Sequence, residues 1–152
     1  MESAGIYARR SSYLDCIVQI GVASQQIVSV SFPASVEEDV PESHDVLDTI
    51  FAYLEGVTVD FTTIDVALTV PTDQRSVLET TREIPYGEQV SVEQLIRMTP
   101  SLDPEDEESN SIARTALAEN PVPIIIPDHR VRDGPSALPA DVEQKVRQIE
   151  NL

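Results

Sequence analysis

The hydrophobic pattern of the chain changes its period at Pro71, and this change constrains the fold more than any other feature. Before Pro71, apolar and polar residues alternate in short stretches, as they do in half-buried strands. After Pro71, apolar residues recur mostly at intervals of three and four, which is the spacing of one helix face. The pattern predicts an N-terminal α/β domain over residues 1–70 and a mainly helical C-terminal domain over residues 71–152.

Strands and one helix are predicted in the N-terminal unit. Residues Cys16–Ala23 and 27–32 are expected to pair as a hairpin, because two strand-like stretches flank a short polar connection. Asp45–Leu54 has apolar residues at helical spacing and is followed by Gly56, a common helix stop. The alternating stretch over residues 64–70 is predicted to be a third strand.

The C-terminal unit is predicted to contain four helices, over residues 72–83, 91–98, 111–119 and 141–150. Ser91 and Gln94 have the spacing of a capping box at the start of the second of these helices. The stretch PVPIII is short, apolar and β-branched, so it is predicted to be a buried strand before the last helix. The order helix, turn, helix, loop, helix and strand is typical of a winged-helix-like DNA-binding unit.

Charge is the strongest compositional signal. The chain has 27 Asp and Glu against 10 Lys and Arg, a net charge of -17, with dense acidic runs at residues 37–39 and 103–108. Such a surface stays hydrated where salt screens charge, so we interpret it as adaptation to a high-salt cytoplasm. The alternative is repulsion of nucleic acid, which acts only at low salt because the Debye length is about 3 Å at 1 M.

Cysteine content and hydropathy predict an intracellular location. Cys16 is the single cysteine, so no intrachain disulfide can form and a reducing setting is expected. No apolar run approaches the length of about eighteen residues that would span a membrane, and the N-terminus lacks the apolar stretch of an export signal. We therefore expect a soluble cytoplasmic monomer that has no cofactor and no membrane partner.

A polar cluster follows the predicted strand of PVPIII. Asp128, His129 and Arg130 are placed at its end, where a polar cluster usually belongs to a site. Asp128 is expected at the mouth of a cleft, and the alternative is that it accepts hydrogen bonds from nearby backbone amides. A metal site is not expected, because adjacent residues of an extended strand point to opposite sides.

Two motifs in this order resemble the C-terminal domain of the alkylguanine-DNA alkyltransferases: VLETTREIPYGEQVSVEQL and, downstream, ALAENPVPIIIPDHRV. The family is marked by an Ile-Pro-Tyr-Gly-Glu turn and by an Asn-Pro strand that ends in Pro-Cys-His-Arg-Val. The match covers roughly residues 72–131. The resemblance implies a ribonuclease-H-like N-terminal domain and a winged-helix-like C-terminal domain. It also implies proteins that flip an alkylated guanine out of the duplex and move the alkyl group from its 6-oxygen onto the motif cysteine.

Asp128 stands at the position of the motif cysteine. A carboxylate, with a reference pKa of about 3.9, is ionised at neutral pH but is a far weaker nucleophile toward an alkyl carbon than a thiolate. Alkyl transfer to the protein is therefore expected to be absent, and Cys16 is expected to be a small core residue that cannot substitute. His129 takes the position of the family's histidine, and it either acts as a base or hydrogen-bonds within the core.

The resemblance also supplies five candidate DNA-binding positions. Val92 takes the place of the family tyrosine that pushes on a phosphate during base flipping, and Ser111 that of the arginine that fills the gap. Arg114 is the nearest arginine and lies one helical turn later. Asn120 and Arg130 are retained from the family, and they are also residue types that hold helix ends and loops in place.

Two functions from different classes remain open. The first is a non-catalytic family member that recognises alkylated or altered guanine and supports repair, with double-stranded DNA at high salt and other repair proteins as partners. The second is a degenerate member kept as a protein-interaction module without DNA affinity. It is favoured by the acidic insertion over residues 101–109, which would put negative charge beside phosphates. A third alternative is an enzyme in which Asp128 forms an alkyl ester that water hydrolyses.

Overall fold

The structure, a computed structural model, describes residues 4–36 and 39–152. Glu37 and Glu38 of the first acidic run lie outside the described residues. In chain order the elements are β1 Ala4–Ser11, β2 Cys16–Ala23, β3 Gln26–Ser31, α1 Asp45–Leu54, α2 Thr72–Thr81, α3 Val92–Met98, α4 Glu107–Ala118 and α5 Ala140–Ile149, with single 3₁₀ turns at Phe61–Thr63 and Asp128–Arg130.

The three strands form one antiparallel sheet in the order β1-β2-β3. The predicted hairpin is confirmed, and the two residues that join its strands, Ser24 and Gln25, both have positive φ, as the tightest hairpin turns require. The hydrophobic pattern does not predict β1, because half of the residues of AGIYARRS, counting its tyrosine, are polar or charged. All eight residues of β1 pair with β2, so this strand owes its place to backbone hydrogen bonding.

The prediction of a third strand over residues 64–70 is wrong. Only Val66 of this stretch bridges a strand, in parallel with Ile27, through hydrogen bonds from Ile27 N to Asp65 O (2.9 Å) and from Ala67 N to Ile27 O (3.0 Å). The apolar residues of the stretch are partly buried against the core. An extended segment packed on one side has the same alternation as a strand, so the pattern does not separate the two.

Four helices, α1, α2, α3 and α5, begin within one residue of where the sequence predicts. α1 has the predicted bounds, and the His44 ring accepts a hydrogen bond from Val46 N at 3.0 Å. The capping box of α3 is confirmed, because the side chains of Ser91 and Gln94 each accept from the other residue's backbone N–H. α2 begins at Thr72, but the preceding proline holds the cap position and has no side chain that can cap.

α4 begins at Glu107, four residues before the predicted start. The Asp106 carboxylate accepts from Glu108 N at 3.1 Å and so caps the helix. Glu107 and Glu108 lie in the first turn, where negative side chains interact favourably with the helix dipole. The end of the acidic insertion is therefore helical rather than part of a loop.

The apolar stretch over residues 121–127 is buried as predicted, apart from the half-buried Pro121, but it is not a strand. It folds into a tight turn, in which Ile126 N donates to Val122 O at 2.9 Å and Ile124 has a φ of 76°. The sequence of the stretch contains three prolines, which lack the N–H that a strand ladder needs. Asp128 therefore follows a buried turn, and it opens a 3₁₀ turn.

One apolar core runs through both halves of the chain. Its largest fully buried side chains come from β2, from α1 to α4, from the Ile-Pro-Tyr-Gly-Glu turn and from the turn before Asp128: Tyr53, Ile20, Leu47, Ile50, Leu78, Ile84, Leu95, Ile96, Leu117, Ile124, Ile125 and Ile126. The boundary at residue 70 and the ribonuclease-H-like and winged-helix-like assignments stay predictions. Within the described ranges, no helix is long and apolar enough to cross a membrane.

Candidate functional site

The PDHR motif consists of residues 127–130, and its 3₁₀ turn, Asp128–Arg130, directs the polar side chains into the core. The exposed fraction is 0% for Asp128, 0% for His129 and 5% for Arg130. Burial of three ionisable groups is costly unless each finds partners. The hydrogen bonds of these three residues therefore define the site.

Asp128 is fully enclosed by hydrogen-bond donors. The Ser136 hydroxyl donates to Oδ1, while Ala137 N and Asn120 Nδ2 each donate to Oδ2 at 3.0 Å. Burial raises the pKa of Asp128, and these hydrogen bonds partly oppose that effect. The expectation that Asp128 lies at the mouth of a cleft is wrong for this structure, and the alternative, in which it accepts hydrogen bonds from nearby groups, describes it.

Glu150, the residue that follows α5, accepts the hydrogen bonds that form the second half of the site. Its Oε1 accepts from Arg130 Nε (2.7 Å) and Gly87 N (2.9 Å). Its Oε2 accepts from His129 Nε2 (2.6 Å), from a second Arg130 nitrogen (3.1 Å) and from the Tyr53 hydroxyl. Burial alone would raise the pKa of Glu150, but the hydrogen bonds from His129 and Arg130 outweigh it and lower the pKa to about 2.

His129 shares its Nε2 between two partners. Besides the bond to Glu150, the Tyr53 hydroxyl lies 3.2 Å from this nitrogen. The Nδ1 atom is buried, with no hydrogen-bond partner among the residues that the structure describes. As placed, His129 is a histidine hydrogen-bonded within the core, one of the two alternatives drawn from the sequence.

Tyr53 connects the N-terminal half to this network. It belongs to α1 and is 0% exposed. Burial raises the pKa of the Tyr53 hydroxyl, and the negative charge of Glu150 adds to the effect, so the phenol stays a donor. A single carboxylate thus links α1, the Ile-Pro-Tyr-Gly-Glu turn, the PDHR turn and α5.

The sequence predictions missed Glu150, Tyr53 and Ser136. Glu150 had a detectable signal, because it continues the buried stripe of Val142 and Val146 at intervals of four. A carboxylate on the apolar face of an amphipathic helix requires a buried partner. No comparable signal marks Tyr53 or Ser136, whose partners are distant in the sequence.

The candidate DNA-binding residues are placed in two different environments. Val92, Asn120 and Arg130 are buried, at 2%, 4% and 5% exposure. Asn120 donates to Ile126 O at 2.9 Å as well as to Asp128, and Arg130 donates to Ile84 O at 2.6 Å. Their side chains hold the core in this structure, so DNA contact through them stays a prediction that the geometry does not favour.

Ser111 and Arg114 lie together on the exposed face of α4. Arg114 donates from one guanidinium nitrogen to the carbonyl oxygen of Asp133 at 3.3 Å. The Asp133 carboxylate is directed elsewhere and accepts from Val92 N at 2.7 Å. Ser111 and Arg114 are the two of the five candidate positions that are exposed.

Cys16 belongs to the sheet rather than to the segments that form the site. It begins β2, pairs with Ser11 of β1 and is half-buried. Burial raises the pKa of its thiol, which lowers the thiolate fraction at neutral pH. The positive charges of Lys145 and Arg10 lower the pKa of the thiol, but burial outweighs them, so Cys16 is not an activated nucleophile.

Among the residues that the structure describes, Asp128 belongs neither to a metal centre nor to the cleft beside the Ile-Pro-Tyr-Gly-Glu turn. Among residues 4–36 and 39–152, no group of three His, Cys, Asp or Glu side chains is arranged to hold a metal ion. A cleft of about 390 Å³ lies between the segment over residues 58–62 and the Ile-Pro-Tyr-Gly-Glu turn. Arg130 and Pro127 contribute to its wall, whereas Asp128 does not.

Comparisons with known proteins agree on one group. Residues 72–150 match the family described as 6-O-methylguanine DNA methyltransferase, DNA binding domain. The methylated-DNA–protein-cysteine methyltransferase of Methanopyrus kandleri is 34% identical to this chain over 100 residues, which are 64% of the chain and 71% of that protein.

Solved structures show a similar fold at low identity. A single-residue variant of the Mycobacterium tuberculosis O6-methylguanine methyltransferase is 16% identical, with a TM-score of 0.73 over 97% of this chain and 92% of that one. The OGT of the same species in complex with DNA is 17% identical, with a TM-score of 0.72 over 97% and 91%. The O6-methylguanine-DNA methyltransferase of Pyrococcus kodakaraensis is 17% identical, with a TM-score of 0.66 over 98% and 99%.

Proposed function

The chain belongs to the alkylguanine-DNA alkyltransferase family, and we propose that it binds DNA and supports repair of altered guanine without accepting an alkyl group itself. The observation that carries this proposal is Asp128, which stands at the family's acceptor position and is 0% exposed. Its two oxygens accept three hydrogen bonds from Asn120, Ser136 and Ala137. A group so enclosed does not reach an alkyl carbon.

Chemistry supports the same conclusion. Transfer requires a nucleophile whose lone pair displaces the guanine 6-oxygen from the alkyl carbon, and a thiolate does this far better than a carboxylate. The raised pKa of the Cys16 thiol and its place in the sheet argue against Cys16 as a substitute nucleophile. The same enclosure removes support from the alternative in which Asp128 forms a hydrolysable ester.

DNA as the partner is supported by the family assignment and by the relative that was solved in complex with DNA. Incubation with a methylguanine duplex in molar KCl should leave the intact mass of the protein unchanged, while fluorescence anisotropy shows that the duplex is bound. A cysteine-bearing family member serves as the positive control for transfer. A stoichiometric gain of one methyl group would refute the non-catalytic assignment, and the absence of binding at every salt concentration would refute DNA binding.

A second candidate function is a protein-interaction module without DNA affinity. Residues 92–120, which include α3 and α4, contain seven acidic and two basic side chains. Such a surface repels phosphates at low salt. The duplex titration separates the two functions, because this candidate predicts no binding even where salt screens the acidic residues.

The acidic composition leads to a prediction about stability. With a net charge of -17, mutual repulsion should destabilise the folded chain when screening is removed. We expect the melting temperature to rise steeply between about 0.1 and 2 M KCl, because the Debye length falls over this interval from about 10 Å to below about 3 Å. Thermal denaturation followed by circular dichroism checks this. A melting temperature that does not change with salt would contradict a high-salt cytoplasm as the setting of the protein.

A further inference from the structure

Most cations of this chain are already neutralised or enclosed. Four arginines pair with carboxylates of exposed acids: Arg9 with Asp48, Arg10 with Asp15, Arg75 with Glu79 and Arg97 with Glu93. Four further cations have other partners: Arg130 binds Glu150, Arg82 and Arg147 donate to backbone carbonyls, and Lys145 lies over the Tyr13 ring.

The two cations that remain are Arg114 and Arg132. Both are exposed, and neither has an acidic side-chain partner within residues 4–36 and 39–152. They are close in the fold, because the Arg114 guanidinium donates to the carbonyl oxygen of Asp133, the residue that follows Arg132; we call this region, residues 111–114 and 132–133, the corner. In a chain with 17 excess negative charges, two exposed arginines without an acidic partner therefore lie on neighbouring parts of the described structure.

A backbone hydrogen bond and a buried neighbour fix the main chain at Arg132. Arg132 N donates to Val90 O at 2.9 Å, and Val131 beside it is 1% exposed. The Asp133 carboxylate, the nearest negative group in sequence, is held at the start of α3 by Val92 N. It therefore does not form an ion pair with either arginine.

The exposed face of α4 next to Arg114 is free of acidic residues at its centre. Ser111, Arg114 and Ala118 follow one another at intervals of three and four and are all exposed. The glutamates of α4 lie at its first turn and just beyond its last, at Glu107, Glu108 and Glu119. The middle of this face is consequently the part of α4 that a polyanion approaches with least repulsion.

We propose that Arg114 and Arg132 each bind a phosphate group of the DNA backbone. The proposal rests on the proposed function, which supplies duplex DNA as the partner. A guanidinium presents its donors in a planar fork that fits two phosphate oxygens, and two such groups at one corner contact neighbouring phosphates. Ser111, on the same face, adds a hydroxyl that donates to a phosphate or sugar oxygen.

Two contacts imply an unusual salt dependence for a DNA-binding protein. The slope of log affinity against log salt is about -0.9 per phosphate contact, so two contacts give a slope of about -1.8. A tenfold increase in salt then weakens binding by about 60-fold, whereas six to ten contacts would weaken it by many orders of magnitude. Binding through this corner is therefore expected to lose less affinity when salt is added than binding through six to ten phosphate contacts.

The test measures the dissociation constant of a fluorescent duplex between about 0.5 and 3 M KCl, where the Debye length is a few ångströms. The variants Arg114→Ala and Arg132→Ala should each lower the magnitude of the salt slope by about 1, and the double variant should make binding nearly independent of salt. Arg10→Ala is the matched control, because it removes an exposed arginine outside the residues that match the DNA-binding family. Its slope should equal that of the parent protein, and circular dichroism should show that all variants are folded.

The outcomes separate this proposal from the function on which it rests. A parent protein that binds no duplex at any salt concentration overturns both. A parent protein that binds, with a slope that neither arginine variant changes, overturns only the assignment of Arg114 and Arg132. Binding of polyglutamate instead of the duplex, with the same dependence on both arginines, would assign the corner to an acidic protein and overturn the DNA proposal.

Discussion

Replacement of Glu150 by alanine is expected to lower the free energy of unfolding by about 3 to 5 kcal/mol, because it leaves a buried charge without its partner. Arg130 would keep two nitrogens that have lost their acceptor, and it is 5% exposed. Tyr53, Gly87 and His129 would each lose the same acceptor. Chemical denaturation in molar KCl measures the loss.

Glu119 provides the matched control. It follows the last residue of α4 as Glu150 follows the last residue of α5, but it is exposed. Glu119→Ala should therefore change stability little. If Glu150→Ala does not fold, Tyr53→Phe tests the same network, since it removes one of the donors and should cost about 1 kcal/mol. Wild-type stability in both Glu150→Ala and Tyr53→Phe would contradict the central role assigned to this carboxylate.

The same network determines a pH dependence. The pKa of Glu150 falls from 4.5 to about 2 on folding, so the unfolded chain takes up this proton at a higher pH than the folded one. The stabilisation is therefore complete above about pH 4.5 and is lost as the pH falls towards about 2. The melting temperature should fall over this interval, and in Glu150→Gln this part of the decrease should be missing.

Replacement of Asp128 by alanine is expected to lower the free energy of unfolding by about 2 to 3 kcal/mol, since buried donors lose their acceptor. The donors are the Ser136 hydroxyl, Ala137 N and the Asn120 amide. Those of Ser136 and Ala137 hold the segment after Arg132 against the motif. Because Asp128 is 0% exposed, the ratio of affinities for methylguanine and plain duplexes should not change. Denaturation and duplex titration of the same variant measure both quantities.

Ser136→Ala is the comparison for this variant, because it removes a single donor and should cost only about 1 kcal/mol. An Asp128→Ala variant of unchanged stability and altered preference for methylguanine would show instead that Asp128 faces a base. Burial raises the pKa of Asp128, so the folded chain takes up this proton at a higher pH than the unfolded chain. This group alone therefore favours the folded state as the pH falls, opposite in sign to Glu150.

Local signals in the sequence predicted much of the secondary structure. The hairpin of β2 and β3 and the bounds of α1 follow from hydrophobic period and turn chemistry within about ten residues. The capping box at Ser91 is likewise a local pattern. The strand predictions for residues 64–70 and 121–127 were wrong. An irregular buried segment and a strand have the same apolar pattern, so the sequence does not distinguish them.

The position of Asp128 in the motif, and with it the absence of the family's thiol, was determined by the sequence by itself. So were the family and the net charge of -17, because each depends on residue identity and order alone. Only the tertiary structure decided that Asp128 is enclosed by Ser136 and Ala137. It also decided that Glu150 accepts a hydrogen bond from Tyr53, 97 residues earlier in the chain. The hydrogen-bond partners of a buried carboxylate depend on where the packed core places it, and no local sequence pattern encodes that place.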